Sequence, residues 1–351
     1  MLANLLIDSV GGLLDAAAGL VPVTLDPVTL PDDERSHLLP AEWWYLSGHL
    51  TATDGSARPY AFETTVVRLG DPFFGVGLGV FGYFALIDVR RRQYEAADRL
   101  VSSTAYAPTG DGFLFTLPPP APETDDWTLQ GSTDLGGIAH YHLDFRTPLR
   151  RLQLDATQAK PPVLHGTGGI VDFGGEHQMA YYSRTRLTAS GTVFDGVDTR
   201  PVAGTVWMDH EWGPPRFLDR QWKFFGIQLD NGEDLFFFRV ARRGSDTLLS
   251  RYGARIDGAG TTVVYDPALV EITDAQVPLP GGYPVNNRIR LTGGPGADLL
   301  VVPYVTHQER RARTPHAFYP PWWEGTCRVR GTFGGAAVQG KAFVELGGYE
   351  K

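Results

Sequence analysis

The sequence contains one cysteine, Cys327, among 351 residues. A single thiol excludes an intramolecular disulfide framework and any cysteine-rich zinc or iron–sulfur site. This cysteine usage is typical of a reducing compartment and predicts a cytoplasmic protein. No apolar run reaches the roughly 18 residues that a membrane-spanning helix needs, so no membrane span is predicted.

Basic residues are in the minority. Lys and Arg number 31 against 40 Asp and Glu, which gives a formal net charge of −9. A nucleic-acid-binding protein needs a basic surface to neutralise phosphates, and an anionic membrane surface attracts the same charge. We therefore expect neither as a partner.

The N-terminal segment is apolar without the basic residues of a signal peptide. No Lys or Arg precedes Arg35, and Asp8 and Asp15 interrupt the apolar run. Leucine, valine and alanine recur at helical spacing through this segment. We predict a short amphipathic helix over residues 1–24 that packs on the domain body.

The common cofactor and nucleophile motifs are missing. The sequence has no G-x-S-x-G, no Walker A and no H-E-x-x-H. The match to G-x-G-x-x-G at residues 77–82 leads into a predicted strand, so it cannot place a phosphate at a helix N-terminus. His140 and His142 share a strand face, but the sequence indicates no third metal ligand. We expect neither a metal nor a cofactor.

The residues that are abundant indicate β-structure. Glycine numbers 42 and proline 26, and aromatic residues make up 12% of the chain. Many short β-forming segments separated by turn residues are typical of sandwiches and barrels. We predict an all-β fold with no long helix after the N-terminal segment.

Two similar hairpins indicate an internal duplication. Residues 43–50 and 60–68 flank Asp54-Gly55, and residues 222–229 and 235–240 flank Asn231-Gly232. The alternative is that any two hairpins look alike. Duplication predicts two tandem β-barrel domains, at residues 25–200 and 201–351.

Glu63 is the first candidate for chemistry. It lies inside the apolar run 60–67 and shares a strand face with Thr65 and Val67. If that face is buried, desolvation raises the pKa of the carboxyl and makes it a proton donor. The alternative is an edge strand whose face meets water.

A second candidate segment, residues 177–187, combines two tyrosines with two arginines. Tyr181, Tyr182 and Arg184 could polarise a carbonyl or hold a carboxylate. The alternative is a set of core tyrosines beside surface arginines.

The third candidate segment is Trp207-Met208-Asp209-His210-Glu211-Trp212, an acid–histidine–acid cluster suited to general acid–base catalysis. Strand alternation sends Asp209 and Glu211 to one face and His210 to the other. The alternative is a structural corner. The similar group around Trp322, Trp323 and Glu324 is interpreted mainly as packing of the second barrel.

These segments carry a family resemblance. The motifs are E-W-W-Y-L-S-G-H-L at 42–50, F-E-T-T-V-V-R at 62–68, Y-Y-S-R-T-R-L at 181–187 and G-T-V-W-M-D-H-E-W-G at 204–213. W-K-F-F-G-I-Q-L-D-N-G at 222–232 and W-E-G-T-C-R-V-R-G at 323–331 follow in the same order. Over residues 40–350 the chain resembles the lipocalin-like two-domain family of carotenoid 1,2-hydratase, which implies two tandem lipocalin-like barrels.

The same architecture resembles that of cofactor-free cyclases of polyketide biosynthesis. The resemblance implies an enzyme that folds a linear polyene in an apolar pocket for a Diels–Alder-type or conjugate-addition ring closure, without a cofactor. Two alternatives remain: a carotenoid or terpenoid hydratase or isomerase that protonates a C=C bond, and a non-catalytic carrier of an apolar ligand.

On this interpretation the pocket lies in the first barrel and its seam with the second. The predicted catalytic residues are Glu63, Asp209, Tyr45, Tyr182 and Arg184. The predicted substrate-binding residues are Trp44, Tyr83, Tyr181, Trp207, Glu211 and Trp222.

Overall fold

The structure is a computed structural model that describes residues 23–71, 76–175, 177–214, 216, 219–245, 247–276, 282–310 and 322–349. The predicted N-terminal helix lies outside the described residues, apart from its last two positions, which are not helical. The described part of the chain contains no helix long and apolar enough to cross a membrane.

The described residues form antiparallel β-strands and three 3₁₀ helices, which confirms the predicted all-β class. The 3₁₀ helices are Asp32–Glu34, Ser103–Ala105 and Pro267–Leu269. The strands of the first sheet are β1 Ala41–Ala52, β2 Pro59–Asp71, β3 Val76–Asp88, β4 Gln93–Val101, β5 Tyr106–Thr109, β6 Gly112–Leu117, β7 Trp127–Thr133, β8 Ala139–Arg146, β9 Arg151–Gln158, β10 Val163–Leu164, β11 Ile170–Asp172, β12 Gln178–Phe194 and β13 Thr199–Gly213. Those of the second are β14 Arg220–Leu229, β15 Asp234–Arg242, β16 Leu248–Ile256, β17 Thr262–Val264, β18 Val270–Asp274, β19 Asn287–Leu291, β20 Ala297–Pro303, β21 Glu309–Arg310, β22 Trp322–Phe333 and β23 Ala336–Gly347.

The two curled sheets share one strand order. In the first, the path runs β4-β3-β2-β1-β13-β12-β9-β8-β7-β6-β5, and in the second β17-β16-β15-β14-β23-β22-β20-β19-β18. In the first sheet, β1 lies between its hairpin partner β2 and the last strand, β13. In the second sheet, β14 lies in the same way between β15 and β23. The predicted hairpins are the β1–β2 and β14–β15 pairs.

We propose that the two domains divide between Gly213 and Arg220. The sequence placed the division near residue 200, which is the start of β13. Since β13 pairs with β1 along its whole length, the first sheet is not complete until Gly213. The second sheet begins at Arg220.

Strand alternation gives each sheet two apolar faces. The concave face of the first sheet encloses a core that includes Trp44, Phe62 and Tyr182. The second sheet encloses its own core around Phe225 and Trp323. The remaining faces pack against each other, and we call this contact the seam.

Candidate active site at the seam

A pocket opens at the seam between the two sheets. It holds about 970 Å³ of space between atoms, including its opening to solvent. Its lining residues are Trp43, Tyr45, Thr65, Val67, Phe173, His177, Met179, Tyr181, Asp209, Glu211, Arg216, Arg220, Trp222, Phe224, Val240, Arg310, Trp322, Glu324, Phe343 and Glu345. Aromatic and aliphatic side chains dominate this wall, as in sites for apolar small molecules.

Pairing register brings the acids of β13 to this pocket. Asp209 is directly opposite Tyr45 on β1 and Ser183 on β12, and Glu211 is opposite Tyr181. Residues directly opposite each other in an antiparallel pair share a sheet face. Tyr45, Tyr181, Asp209 and Glu211 therefore point together into the seam.

Asp209 is buried and hydrogen-bonded on one side. The Trp207 indole N–H donates to its Oδ1 at 2.8 Å, and the Ser183 hydroxyl donates to the same oxygen. Ser183 is held in turn by His165 Nε2, 2.7 Å from its Oγ. Burial raises the pKa of Asp209 to about 7, against these hydrogen bonds, which lower it. The carboxyl is thus close to half-protonated at neutral pH.

Glu211 is a second buried acid on the same strand. No hydrogen bond joins its carboxyl to the described residues. Burial, together with the charges of Glu345 and Asp209, raises the pKa of Glu211 well above its usual range. The protonated form of this carboxyl is therefore favoured in the pocket beside Asp209.

The second sheet contributes two further acids. Glu324 on β22 and Glu345 on β23 are directly opposite each other. Burial and the Glu324 charge raise the pKa of Glu345 to about 8, although the Trp222 indole N–H donates to its Oε1 at 2.7 Å. Like charges this close disfavour simultaneous ionisation.

Arg310 is the buried cation of this acidic cluster. Its Nε lies 2.9 Å from Glu324 Oε2, and its Nη2 donates to Thr65 Oγ1 at 2.9 Å across the seam. The guanidinium carbon stacks 3.4 Å from the centre of the Tyr83 ring and 4.7 Å from that of Trp322. These contacts fix the charge and tie the two sheets together.

Glu63 lies on the seam face of β2, next to the pocket rather than in its lining. It is opposite Ser47 on β1, and its carboxyl is fully buried without a hydrogen-bond partner among the described residues. Burial and the charge of Glu324 raise the pKa of Glu63 well above its usual range. Tyr83 lies beside it, with its hydroxyl bonded to that of Tyr94.

Three predicted residues lie on the opposite face of their strands and therefore do not line the pocket. Trp44 and Tyr182 are in the core of the first barrel, and Arg184 also points to that side. Arg184 Nε donates to Tyr141 Oη at 2.9 Å and pairs with Glu34, so its charge is neutralised there. The sequence could not separate these residues from the pocket because it does not show which parity of β1 and β12 faces the seam.

A histidine–glutamate–histidine group lies on that same inner side. His37, Glu42 and His210 place ligand atoms within 4.8 Å of one another. Both imidazoles contact Glu42 Oε1 at 2.8 Å, while Asp33 and Tyr182 bond their other ring nitrogens. These hydrogen bonds, together with those that the Ser36 hydroxyl and the His37 backbone N–H donate to Glu42 Oε2, account for every polar ring and carboxylate atom of the group. His210 is thus turned away from Asp209 and Glu211, as alternation predicts.

A family model described as AttH-like matches residues 22–349. The chain belongs to the AttH-like family. No match was found among curated proteins.

Solved structures show the same fold. The AttH protein NE1406 of Nitrosomonas europaea is 25% identical, with a TM-score of 0.75, and the match covers 93% of this chain and 98% of that one. Kievitone hydratase of Nectria haematococca is 15% identical, with a TM-score of 0.68 and 93% of both chains covered. CghA is 12% identical, with a TM-score of 0.57 and 88% of both chains covered. These matches confirm the resemblance to a lipocalin-like two-domain family.

Sequence reasoning missed the acids of the second sheet in this AttH-like chain. The sequence predicts a packing role for the segment that contains Glu324 and no role for Glu345 or Arg310. The signal for Glu324 was present in Trp322-Trp323-Glu324, where an acid follows two aromatic residues. Glu345 sits in the apolar run Ala342–Leu346, the same kind of signal that identified Glu63.

Proposed function

We propose that this chain is a cofactor-independent enzyme in which the Asp209 carboxyl transfers a proton to an apolar, unsaturated small molecule bound at the seam. One observation carries the proposal: a buried acid with a pKa of about 7 lines an aromatic pocket. A general acid is most effective when its pKa is near the working pH.

The neighbouring carboxyl titrates together with Asp209. Glu345 has a pKa of about 8, raised by burial and by the charges of Glu324 and Asp209. Because the two groups repel each other when both are ionised, the pocket favours states in which one carries a proton and the other does not. Such a pair can donate one proton and accept another.

The chemistry that follows is addition across a C=C bond. The Asp209 O–H bond breaks, a C–H bond forms, and positive charge develops on the neighbouring carbon. Water attacks that carbon and passes its proton to a carboxylate of the cluster, which gives an alcohol. Loss of a proton from carbon instead gives an isomer. The aromatic wall favours the cationic intermediate through its ring faces.

Ring closure of a polyketide-like polyene is the second candidate. It is supported by the aromatic wall formed by Trp43, Trp222, Phe224 and Phe343, which would hold a flexible chain in one folded conformer. Such confinement lowers the entropic part of the activation barrier for ring closure, and the reaction then needs no proton transfer. Here the neutral carboxyls would hydrogen-bond a carbonyl of the substrate.

Incubation of the purified protein with linear polyenes in D₂O tests both candidates. The panel contains acyclic carotenoids, prenylated phenols and polyketides with an acyl-tetramate head, and products are separated by mass. Hydration adds one water and places deuterium on carbon. A cyclase gives a product of unchanged mass without deuterium.

Asp209→Asn is the decisive variant because it keeps the shape of the side chain and removes the proton. We expect turnover to fall at least about a hundredfold, consistent with a general acid's usual contribution. Wild-type kcat/KM should also decline as pH rises through about 7, where Asp209 loses its proton. The matched control is Asp257→Asn, in a surface turn of the second sheet. Full activity of Asp209→Asn would refute the proposal.

A further inference from the structure

Two hydrogen bonds from buried donors meet on one oxygen of the Asp209 carboxyl. The Trp207 indole N–H and the Ser183 hydroxyl both donate to Oδ1. An oxygen that already accepts two hydrogen bonds is a poor place for the proton of the acid, because that proton would have to fit between two other donors. In the protonated acid, the proton is therefore favoured on Oδ2.

The Ser183 hydroxyl is the middle member of a longer chain of hydrogen bonds. His165 Nε2 is 2.7 Å from Ser183 Oγ. Because the single proton of the hydroxyl points to Asp209, this second contact requires that His165 Nε2 carries a hydrogen and donates it to Oγ. The hydrogen bonds thus assign the tautomer of His165, with the lone pair on Nδ1, which has no hydrogen-bond partner among the described residues.

His165 is held in one orientation. Its backbone N–H donates to the Tyr181 carbonyl oxygen at 3.1 Å. The centre of its buried ring lies 4.8 Å from that of Tyr181 and 4.3 Å from that of Phe236, and Tyr252 meets the ring edge-on at 5.8 Å. Phe236 and Tyr252 belong to the second sheet, so the ring is fixed when the two sheets pack together. Burial lowers the pKa of His165 to about 3, so the ring is neutral at pH 7.

The other titratable groups around Asp209 belong to the pocket wall. The Tyr181 hydroxyl lowers the pKa of Asp209, and the charge of Glu324 raises it. The groups that the surrounding strands contribute to this wall are Tyr45 on β1, Tyr181 on β12, Glu211 on β13, Arg310 on β21, Glu324 on β22 and Glu345 on β23. Ser183 and His165 lie outside this lining and contact the carboxyl from its other side.

The direction of this chain decides where the proton of Asp209 lies. The His165 N–H polarises the Ser183 hydroxyl and strengthens its hydrogen bond to Oδ1, since hydrogen bonds in a chain reinforce one another. Without that N–H, the hydroxyl is free to turn and to accept a hydrogen bond from Asp209. The proton would then lie on Oδ1, directed at Ser183 and away from a bound ligand.

We propose that Ser183 and His165 are positioning residues: they keep Asp209 Oδ1 as an acceptor, so that the acid presents its proton to the pocket on Oδ2. This inference rests on the proposed function, because it takes Asp209 as the acid. A positioning role predicts an effect on kcat rather than on KM, since neither side chain lines the pocket.

Steady-state kinetics of His165 variants test the proposal on a polyene that the wild type turns over. The measurement is made at pH 6, where Asp209 carries its proton. His165→Leu removes the N–H but keeps an apolar side chain, and we expect kcat to fall about tenfold, the usual effect of one hydrogen bond, with KM unchanged. His165→Gln can return an N–H donor to the position of Nε2 and should restore most of kcat. The matched control is His142→Leu, at a side chain that is 44% exposed on β8, and it should leave both constants unchanged.

Ser183→Ala tests the same chain without a substrate. The hydrogen bond from Ser183 lowers the pKa of Asp209, so its loss should raise that pKa, by roughly one unit for one hydrogen bond. In urea unfolding, the loss of stability with rising pH that this carboxyl causes should then extend to higher pH by the same amount. The control is Ser190→Ala, at an exposed position of the same strand, which should show the pH dependence of the wild type.

An unchanged kcat in His165→Leu, a loss that His165→Gln does not restore, or an unchanged pH dependence of stability in Ser183→Ala would each overturn the inference. A failure of the proposed function gives a different result. In that case Asp209→Asn keeps full turnover, whereas Ser183→Ala still shifts the pH dependence of stability. Turnover that is lost in Asp209→Asn but is unaffected by His165→Leu removes this inference alone.

Discussion

Replacement of Asp209 by Asn should change how the stability of the protein depends on pH. The pKa of Asp209 is about 7 in the fold, against 3.8 for an ordinary aspartate. The folded protein therefore binds this proton more tightly than the unfolded chain does. The free energy of unfolding of the wild type consequently falls as pH rises between about 4 and about 7.

The size of the effect follows from the two pKa values. At about 1.4 kcal/mol for each pH unit, the gap of roughly three units costs the wild type about 4 kcal/mol by pH 8. Asn has the same shape and can accept the indole hydrogen bond of Trp207, but it does not ionise. The variant should gain stability relative to the wild type by about that amount between pH 4 and pH 8.

Urea unfolding at a series of pH values measures this difference. The loss or change of the Ser183 hydrogen bond in the variant alters the free energy of unfolding by the same amount at every pH. The comparison therefore uses only the slope of the free energy of unfolding against pH. The control Asp257→Asn should give the opposite slope, because hydrogen bonds from the backbone N–H groups of Thr261 and Ala259 lower the pKa of Asp257. Parallel curves for wild type and Asp209→Asn would show that Asp209 is ionised in the fold, and the reasoning would fail.

Three further variants probe the frame of the pocket. Arg310→Met leaves Glu324 without its cation, and we expect a loss of about 3–5 kcal/mol of stability at pH 7 in urea unfolding. Trp222→Phe removes the indole N–H that lowers the pKa of Glu345, so in urea unfolding the loss of stability with rising pH that this carboxyl causes should extend to higher pH. Gly347→Ala would place a Cβ 2.1 Å from the Trp222 ring. The indole must then move, and turnover of a linear polyene substrate should fall while the secondary structure by circular dichroism is unchanged.

The amino-acid pattern alone was enough to predict the all-β class and the positions of two hairpins. The Asp-Gly and Asn-Gly turns between aromatic strands locate the β1–β2 and β14–β15 hairpins, since glycine readily adopts the positive φ that Gly55 and Gly232 show in these connections. It also placed Asp209 and Glu211 on one face and His210 on the other, because side chains alternate along any strand.

The amino-acid pattern could not show which face of β1 and β12 lines the pocket. Both faces of β1 and β12 are apolar, because one fills a barrel and the other packs at the seam. Trp44 and Tyr45 look equally suitable in sequence, yet only Tyr45 lines the pocket. Parity is decided by which face the second sheet covers, and that is a long-range contact.

Sequence determined that this protein has an all-β fold with acids embedded in aromatic strands, since turn chemistry and alternation are local properties. Tertiary structure alone decided which acids share a pocket. Asp209 comes from the first sheet, and Glu345 and the cation Arg310 come from the second, more than 100 residues away. Their pKa values depend on burial and on each other's charge, and both exist only once the two sheets have closed on the seam.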